Sequence, residues 1–157
     1  MKFLIILFTL LSFSSFGAGT ESSSSDTTAD ASEQITKLYE LAEKHIYTEM
    51  YDKSLKLLKK LTKREDLGAK RADIYNLLGF SYRKVENPDL DKSFAAYMMA
   101  LELDPNHVGA HEYLGELYLK RDNLEKASNM LVKLEMLVGK DAQEYKDLLK
   151  AIESYQL

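Results

Sequence analysis

Leu78-Gly79-Phe80-Ser81-Tyr82 and Leu114-Gly115-Glu116-Leu117-Tyr118 are two versions of one word, set 36 residues apart. Each glycine falls inside a run of apolar residues with helical spacing, where glycine costs about 1 kcal/mol relative to alanine. Two such costs at matching positions need a compensating reason. Close approach of a second helix, which a Cβ would obstruct, supplies it. A period in the thirties is that of stacked helical hairpins. The two words therefore predict a repeat scaffold.

Helical spacing extends to both sides of them. Ile35, Leu38, Leu41 and Ala42 mark a first helix, and Leu55, Leu58 and Leu61 a second that begins near Tyr51. Ile74, Leu77, Leu78 and Tyr82 mark a third. The fourth carries Leu90, Phe94, Tyr97, Leu101 and Leu103, with Asn87 as its cap and Pro88 at its first position, where a missing N–H does no harm. After Asp104-Pro105-Asn106 comes a fifth, with Ala110, Tyr113, Leu114, Leu117 and Tyr118. Asp122 with Glu125, and Asp141 with Glu144, are spaced as capping boxes for a sixth helix over residues 124–138 and a seventh over 145–155. Strand-type alternation is nowhere sustained. Short connections require neighbouring helices to pack antiparallel.

The 157 residues suit one domain, and a 45% hydrophobic content supplies a core for it. A net charge of −4 gives no basic field to attract nucleic acid. The absence of cysteine excludes disulfides, a thiolate nucleophile and cysteine-based metal sites. At the N-terminus Lys2 precedes the apolar run from Phe3 to Phe13, and the small residues Ser14, Ser15, Gly17, Ala18 and Gly19 follow. Residues 1–17 read as a secretory signal peptide cleaved after Gly17. The run is too short to span a bilayer easily, so no integral membrane segment is expected after cleavage. Export is expected, to the periplasm if the host is a Gram-negative bacterium. Residues 18–32 hold no large apolar side chain and read as a disordered Ser/Thr/Asp-rich linker.

The pattern as a whole resembles the tetratricopeptide repeat, whose signature is W-x2-L-G-x2-Y…A-x3-F…P. The clearest copy is Tyr75-x2-Leu78-Gly79-x2-Tyr82, followed by Ser93-x3-Tyr97, Ala100 and Pro105. The next is His111-x2-Leu114-Gly115-x2-Tyr118, followed by Ala127-x3-Leu131, with Leu134 and Gly139 departing from the signature. A fainter copy is Leu38-x2-Leu41-Ala42-x2-His45, followed by Ser54-x3-Leu58, with a small insertion near Leu67-Gly68-Ala69. The last stretch also resembles small secreted bacterial proteins of this class. The resemblance implies an all-α, right-handed solenoid over residues 33–157: repeats at 35–68, 72–106 and 108–141, then a capping helix at 142–155. Within each hairpin, Gly79 and Gly115 are expected to admit the partner helix, with Ala100 and Ala127 as their small counterparts.

It further implies a concave groove lined by the first helix of each hairpin. By position, that side holds Tyr39, Glu43 and Tyr47, then Asn76, Phe80 and Arg83, then Glu112, Tyr113 and Glu116. Such a surface suits a protein or peptide segment, because aromatic side chains give large contact area at low entropic cost. Some members clamp a peptide's C-terminal carboxylates with a Lys/Asn/Arg set. Tyr39, Glu43, Leu77, Gly109 and Tyr113 stand at those positions here, so no two-carboxylate clamp is expected.

His107 and His111 have the i, i+4 spacing of two metal ligands. No third ligand shares their face well, and both sit at ordinary repeat positions, so no metal site is expected. No nucleophile elbow or phosphate-cradling glycine loop is present. The expectation is a non-catalytic adaptor without cofactor, with a self-associating structural subunit as the alternative.

Overall fold

The computed structural model describes the chain from Ser24 to Leu157, with side chains from Asp30 onward. The expected signal peptide and residues 18–23 of the expected linker lie outside the described residues. Seven α-helices follow one another: α1 (Ser24–Tyr47), α2 (Tyr51–Leu61), α3 (Arg71–Lys84), α4 (Leu90–Leu103), α5 (Val108–Lys120), α6 (Leu124–Val138) and α7 (Gln143–Tyr155). No strand occurs among the described residues.

Three hairpins, α1/α2, α3/α4 and α5/α6, stack in order, and α7 packs on both helices of the last. The first helices of successive hairpins touch (α1 with α3, α3 with α5, α5 with α7). Each second helix fits between its own partner and the first helix of the next unit. This is an all-α solenoid, in which stacked units bury faces that no hairpin could bury alone. The core runs along the stack. Leu58, Leu61, Ile74 and Leu78 hold the first two units, Tyr97, Leu114 and Leu117 the middle, and Leu134, Tyr145, Leu148 and Ile152 the end.

Several boundaries differ from the sequence reading. Residues 24–32 are not linker but the start of α1. Once Ile35 and Ala42 are buried against the next helices, nucleation is complete and upstream residues join at one hydrogen bond each. The cap of α4 is Asp89, whose carboxylate accepts from the Lys92 amide at 2.9 Å; it is not Asn87. The Asp89 amide already donates to the Tyr82 carbonyl, so the turn closes at residue 89 and the helix starts beyond it. Asn123 caps α6 instead of Asp122, which takes a left-handed φ of 54° to close the end of α5. Ala142 precedes α7 with no side-chain cap, and the Asp141 carbonyl accepts from Lys146 Nζ at 2.6 Å. The insertion after α2 is a 3-10 turn, Gly68–Lys70, entered by Gly68 at φ +54° beside the buried Leu67.

The two marker glycines are close-approach positions of different kinds. A Cβ on Gly79 would stand 2.7 Å from the ring of Tyr97 on α4, the partner helix, as expected. The crossing is locked further by Ser93 Oγ, which donates to the Gly79 carbonyl at 2.8 Å. A Cβ on Gly115 would stand 2.5 Å from a methyl of Leu148 on α7. That contact joins the third hairpin to the capping helix, not the two helices of one hairpin. Tyr97 and Leu148 are both fully buried and have no room to swing away.

Gly79→Ala is expected to lower stability by roughly 1–3 kcal/mol in urea unfolding, although alanine is the better helix former. Gly115→Leu should do at least as much. Leu148→Ala alone should cost about 2–5 kcal/mol, and its combination with Gly115→Ala should cost less than the sum; strict additivity would refute the close crossing.

Candidate functional site

Adjacent first helices α3 and α5 bring four of the expected groove residues together. Phe80 and Arg83 are one turn apart on α3, as are Tyr113 and Glu116 on α5. The Phe80 and Tyr113 rings lie 5.0 Å apart between centroids, tilted by 48°. The Arg83 guanidinium sits 5.5 Å from both ring centres and donates through Nη1 to Glu116 Oε2. Its side chain is 1% exposed while that of Glu116 is 29% exposed, so the carboxylate keeps water and the cation does not. Ring faces and the ion pair together make such a buried cation tolerable. Arg83 Nε and Nη2 and the Tyr97 hydroxyl remain buried without a hydrogen-bond partner.

Tyr51 and Tyr97 complete the cluster, with centroids 6.2 Å from Phe80 and from Tyr113 respectively. The sequence reading assigned Tyr97 to the core of α4 and Tyr51 to the start of α2. Their register alone does not reveal that α4 and α2 deliver both rings to the α3/α5 seam.

Glu112 lies one turn before Glu116 and is 8% exposed, with no hydrogen bond or ion pair to its carboxylate among the described residues. Burial first, and then the negative charges of Glu116, Asp147 and Glu144, push its carboxyl up to about 8, with Arg83 opposing. Burial, reinforced by Glu112 and Glu116, likewise pushes the Tyr113 hydroxyl up to about 12. The α7 carboxylates were legible only as capping or surface residues.

The other expected residues are dispersed. Asn76 is buried against Gly109, where a Cβ would come within 3.0 Å of its Nδ2, and its Oδ1 lacks a partner. Tyr39 is half-buried, with Lys70 Nζ 4.7 Å above its ring, and burial followed by the charge of Glu43 raises its hydroxyl. Glu43 is exposed. Tyr47, 90% exposed at the end of α1, joins no aromatic pair among the described residues.

Both histidines have structural partners. His107 caps α5: its Nδ1 accepts from the Ala110 amide at 3.1 Å, so Nε2 carries the proton and donates to Asp73 Oδ1 at 3.1 Å. His111 Nε2 donates to the Pro105 carbonyl at 3.0 Å, and burial lowers its ring below the usual histidine range. Among the described residues, no three His, Cys, Asp or Glu side chains gather as metal ligands.

The chain matches a tetratricopeptide-repeat family model over residues 86–152. It is 35% identical over 95 residues to the tetratricopeptide repeat domain-containing protein PYG7, chloroplastic, of Arabidopsis thaliana, a match covering 60% of this chain and 31% of that protein. It is 34% identical over 80 residues to the ycf37 protein of Pyropia yezoensis, covering 50% of this chain and 44% of the relative. The chain thus spans less than half the length of these relatives. Among solved structures, the first TPR of Spaghetti (RPAP3) bound to the HSP90 peptide SRMEEVD is similar with a TM-score of 0.65 at 16% identity, over 80% of this chain and 94% of that one. The Yersinia enterocolitica type III secretion chaperone SycD in complex with a peptide of the translocator YopD gives 0.63 at 19% identity, over 79% and 90%. Residues 86–152 thus match the tetratricopeptide repeat in sequence, and the three stacked hairpins with their cap share its fold.

Two outcomes follow from the buried charges. Glu116→Ala strands Arg83 without its anion and should cost about 3–5 kcal/mol, whereas Arg83→Met leaves a partly hydrated carboxylate and should cost much less. Glu112 binds its proton more tightly folded than unfolded, so its contribution is full below pH 4.5 and is lost as pH rises toward about 8. Glu112→Gln should therefore raise stability by about 1 kcal/mol or more near pH 8, with the gain vanishing below pH 4.5, as read by urea unfolding across that range.

Proposed function

We propose that this protein is an exported scaffold that binds a segment of another protein across the concave face of α1, α3, α5 and α7, and that it works as a binding module and not a catalyst. The observation that carries the reading is the Phe80–Tyr113 pair. Two rings from successive repeats are held at fixed spacing by Arg83 and Glu116, and each keeps part of its surface in water. A rigid aromatic platform of this kind gives contact area without an ordering cost on binding. Two proteins of similar fold, solved with peptides bound, support the same use of the scaffold. Lys2 and the apolar run after it support export. A second reading, self-association, draws on Val132 and Met136, exposed one turn apart on α6. Sedimentation showing a monomer at high concentration rejects it.

A photo-crosslinking residue placed at Tyr113 in the native host should yield adducts mapping to one segment of one partner, and a residue at Lys56 on α2 should not. Tyr113→Ala should weaken that segment's binding by about 2 kcal/mol or more. Equal adducts from both positions would reject the groove. Terminal sequencing of the recovered protein should begin at Ala18; a protein beginning at Met1 rejects cleavage.

A further inference from the structure

We propose that the side of α3 opposite Phe80 is a second docking surface, which takes an acidic amphipathic helix of a partner protein. The apolar stripe of that helix lies on Tyr75, Leu78, Tyr82 and Met99, and its carboxylates meet Lys56 and Lys59. The surface is separate from the concave face, and either can bind without the other.

Tyr75, Leu78 and Tyr82 recur at i, i+3 and i+7, which makes one stripe about 10 Å long on α3. Helices α2 and α4 both pack on α3 and do not meet each other. The stripe floors an open groove of about 270 Å³, walled by Ala95, Ala96 and Met99 of α4. Tyr75 and Tyr82 are half-buried, and Met99 is 38% exposed. One repeat later, Asn129, Met130 and Lys133 stand where this groove has Ala95, Ala96 and Met99. There Met130 packs against the core and Lys133 donates to Asn106 at 3.4 Å. The alanines of the second repeat are too small to cover the stripe in that way.

Charge selects the partner. α2 carries four lysines against one aspartate, in a chain of net charge −4. Lys59 stands at the groove, its Nζ 5.1 Å from the centre of the Tyr82 ring, and Lys56 lies one turn before it. Both are exposed, and neither belongs to an ion pair among the described residues. Lys92, 5.8 Å from the same ring, already holds Asp89. An apolar floor beside unmatched cations complements a helix with one apolar and one acidic face.

The form of the occupant follows from the lining, which lies within α3 and α4, where backbone groups are already paired. An extended segment laid there would bury amides without partners, whereas a helix pairs its own. An open groove of this size admits side chains and does not enclose a small molecule.

A display library of helical peptides, randomised on one face and selected on the full chain, tests this. One enriched class should carry apolar residues at i, i+3 or i+4 spacing flanked by aspartate or glutamate. Its binding should fall at least about tenfold on Ala95→Glu, which fills the groove and repels the acids. Lys56→Ala with Lys59→Ala should weaken it by about threefold or more, and added salt should weaken it too. Tyr113→Ala, on the concave face, should leave it unchanged. Ala95 and both lysines are exposed, so these variants should keep the wild-type unfolding temperature. Absence of any peptide sensitive to Ala95→Glu, or sensitive peptides that lack acidic residues, would overturn the proposal. So would sedimentation with phosphatidylglycerol vesicles that the lysine substitutions abolish, which assigns the surface to lipid. A dimer that Ala95→Glu dissociates would overturn it in favour of a second copy of this chain.

Discussion

At Gly79 the ring of Tyr97, and at Gly115 the methyls of Leu148, occupy the space where a Cβ would stand. These two contacts set how closely α3 meets α4 and how closely α5 meets α7. The rest of the stack inherits that spacing, because each unit buries its apolar face only against its neighbours. Protein interiors are packed too densely to absorb an extra methyl without displacing something, and here the displaced groups are themselves fully buried. The energetic disadvantage of two mid-helix glycines is thus offset by packing along the length of the molecule.

Helix spacing also sets the electrostatics of the concave face. With α3 and α5 held side by side, Arg83 is drawn out of water between two rings and pairs with a carboxylate from the next repeat. With α7 held against α5, Glu112 is buried on the inner side of α5. The two outcomes are opposite. Arg83 keeps its charge because Glu116 and the ring faces replace water, while burial, and after it the like charges of its neighbours, push the Glu112 carboxyl up to about 8.

Much of this was legible beforehand. The paired words gave the period, the apolar spacing gave seven helices, and the groove positions included Phe80, Arg83, Tyr113, Glu116 and Glu112. The errors were local and share a cause. Asn87, Asp122 and Asp141 are sound capping residues, but the turn each sits in closes through backbone bonds one or more residues later than side-chain type suggests. Residues 24–32 lack large apolar side chains, which removes a reason to pack but not a reason to continue a helix already nucleated downstream. Tyr47 and Tyr39 share the aromatic character of Phe80 but belong to the first helix, and no ring from a neighbouring repeat reaches them among the described residues.

The sequence by itself determined the architecture: helical hairpins, their number, their order and the residues at their closest crossings. It could do so because periodicity and glycine placement are properties of one helix and its immediate contact. Only the tertiary structure decided that Gly115 serves the capping helix, that Tyr51 and Tyr97 join the aromatic cluster, and that Arg83 is buried against Glu116. Those facts depend on which faces of three or four separate helices meet. A charge acquires its chemical character from groups that lie far away along the chain, and no spacing rule within a helix records them.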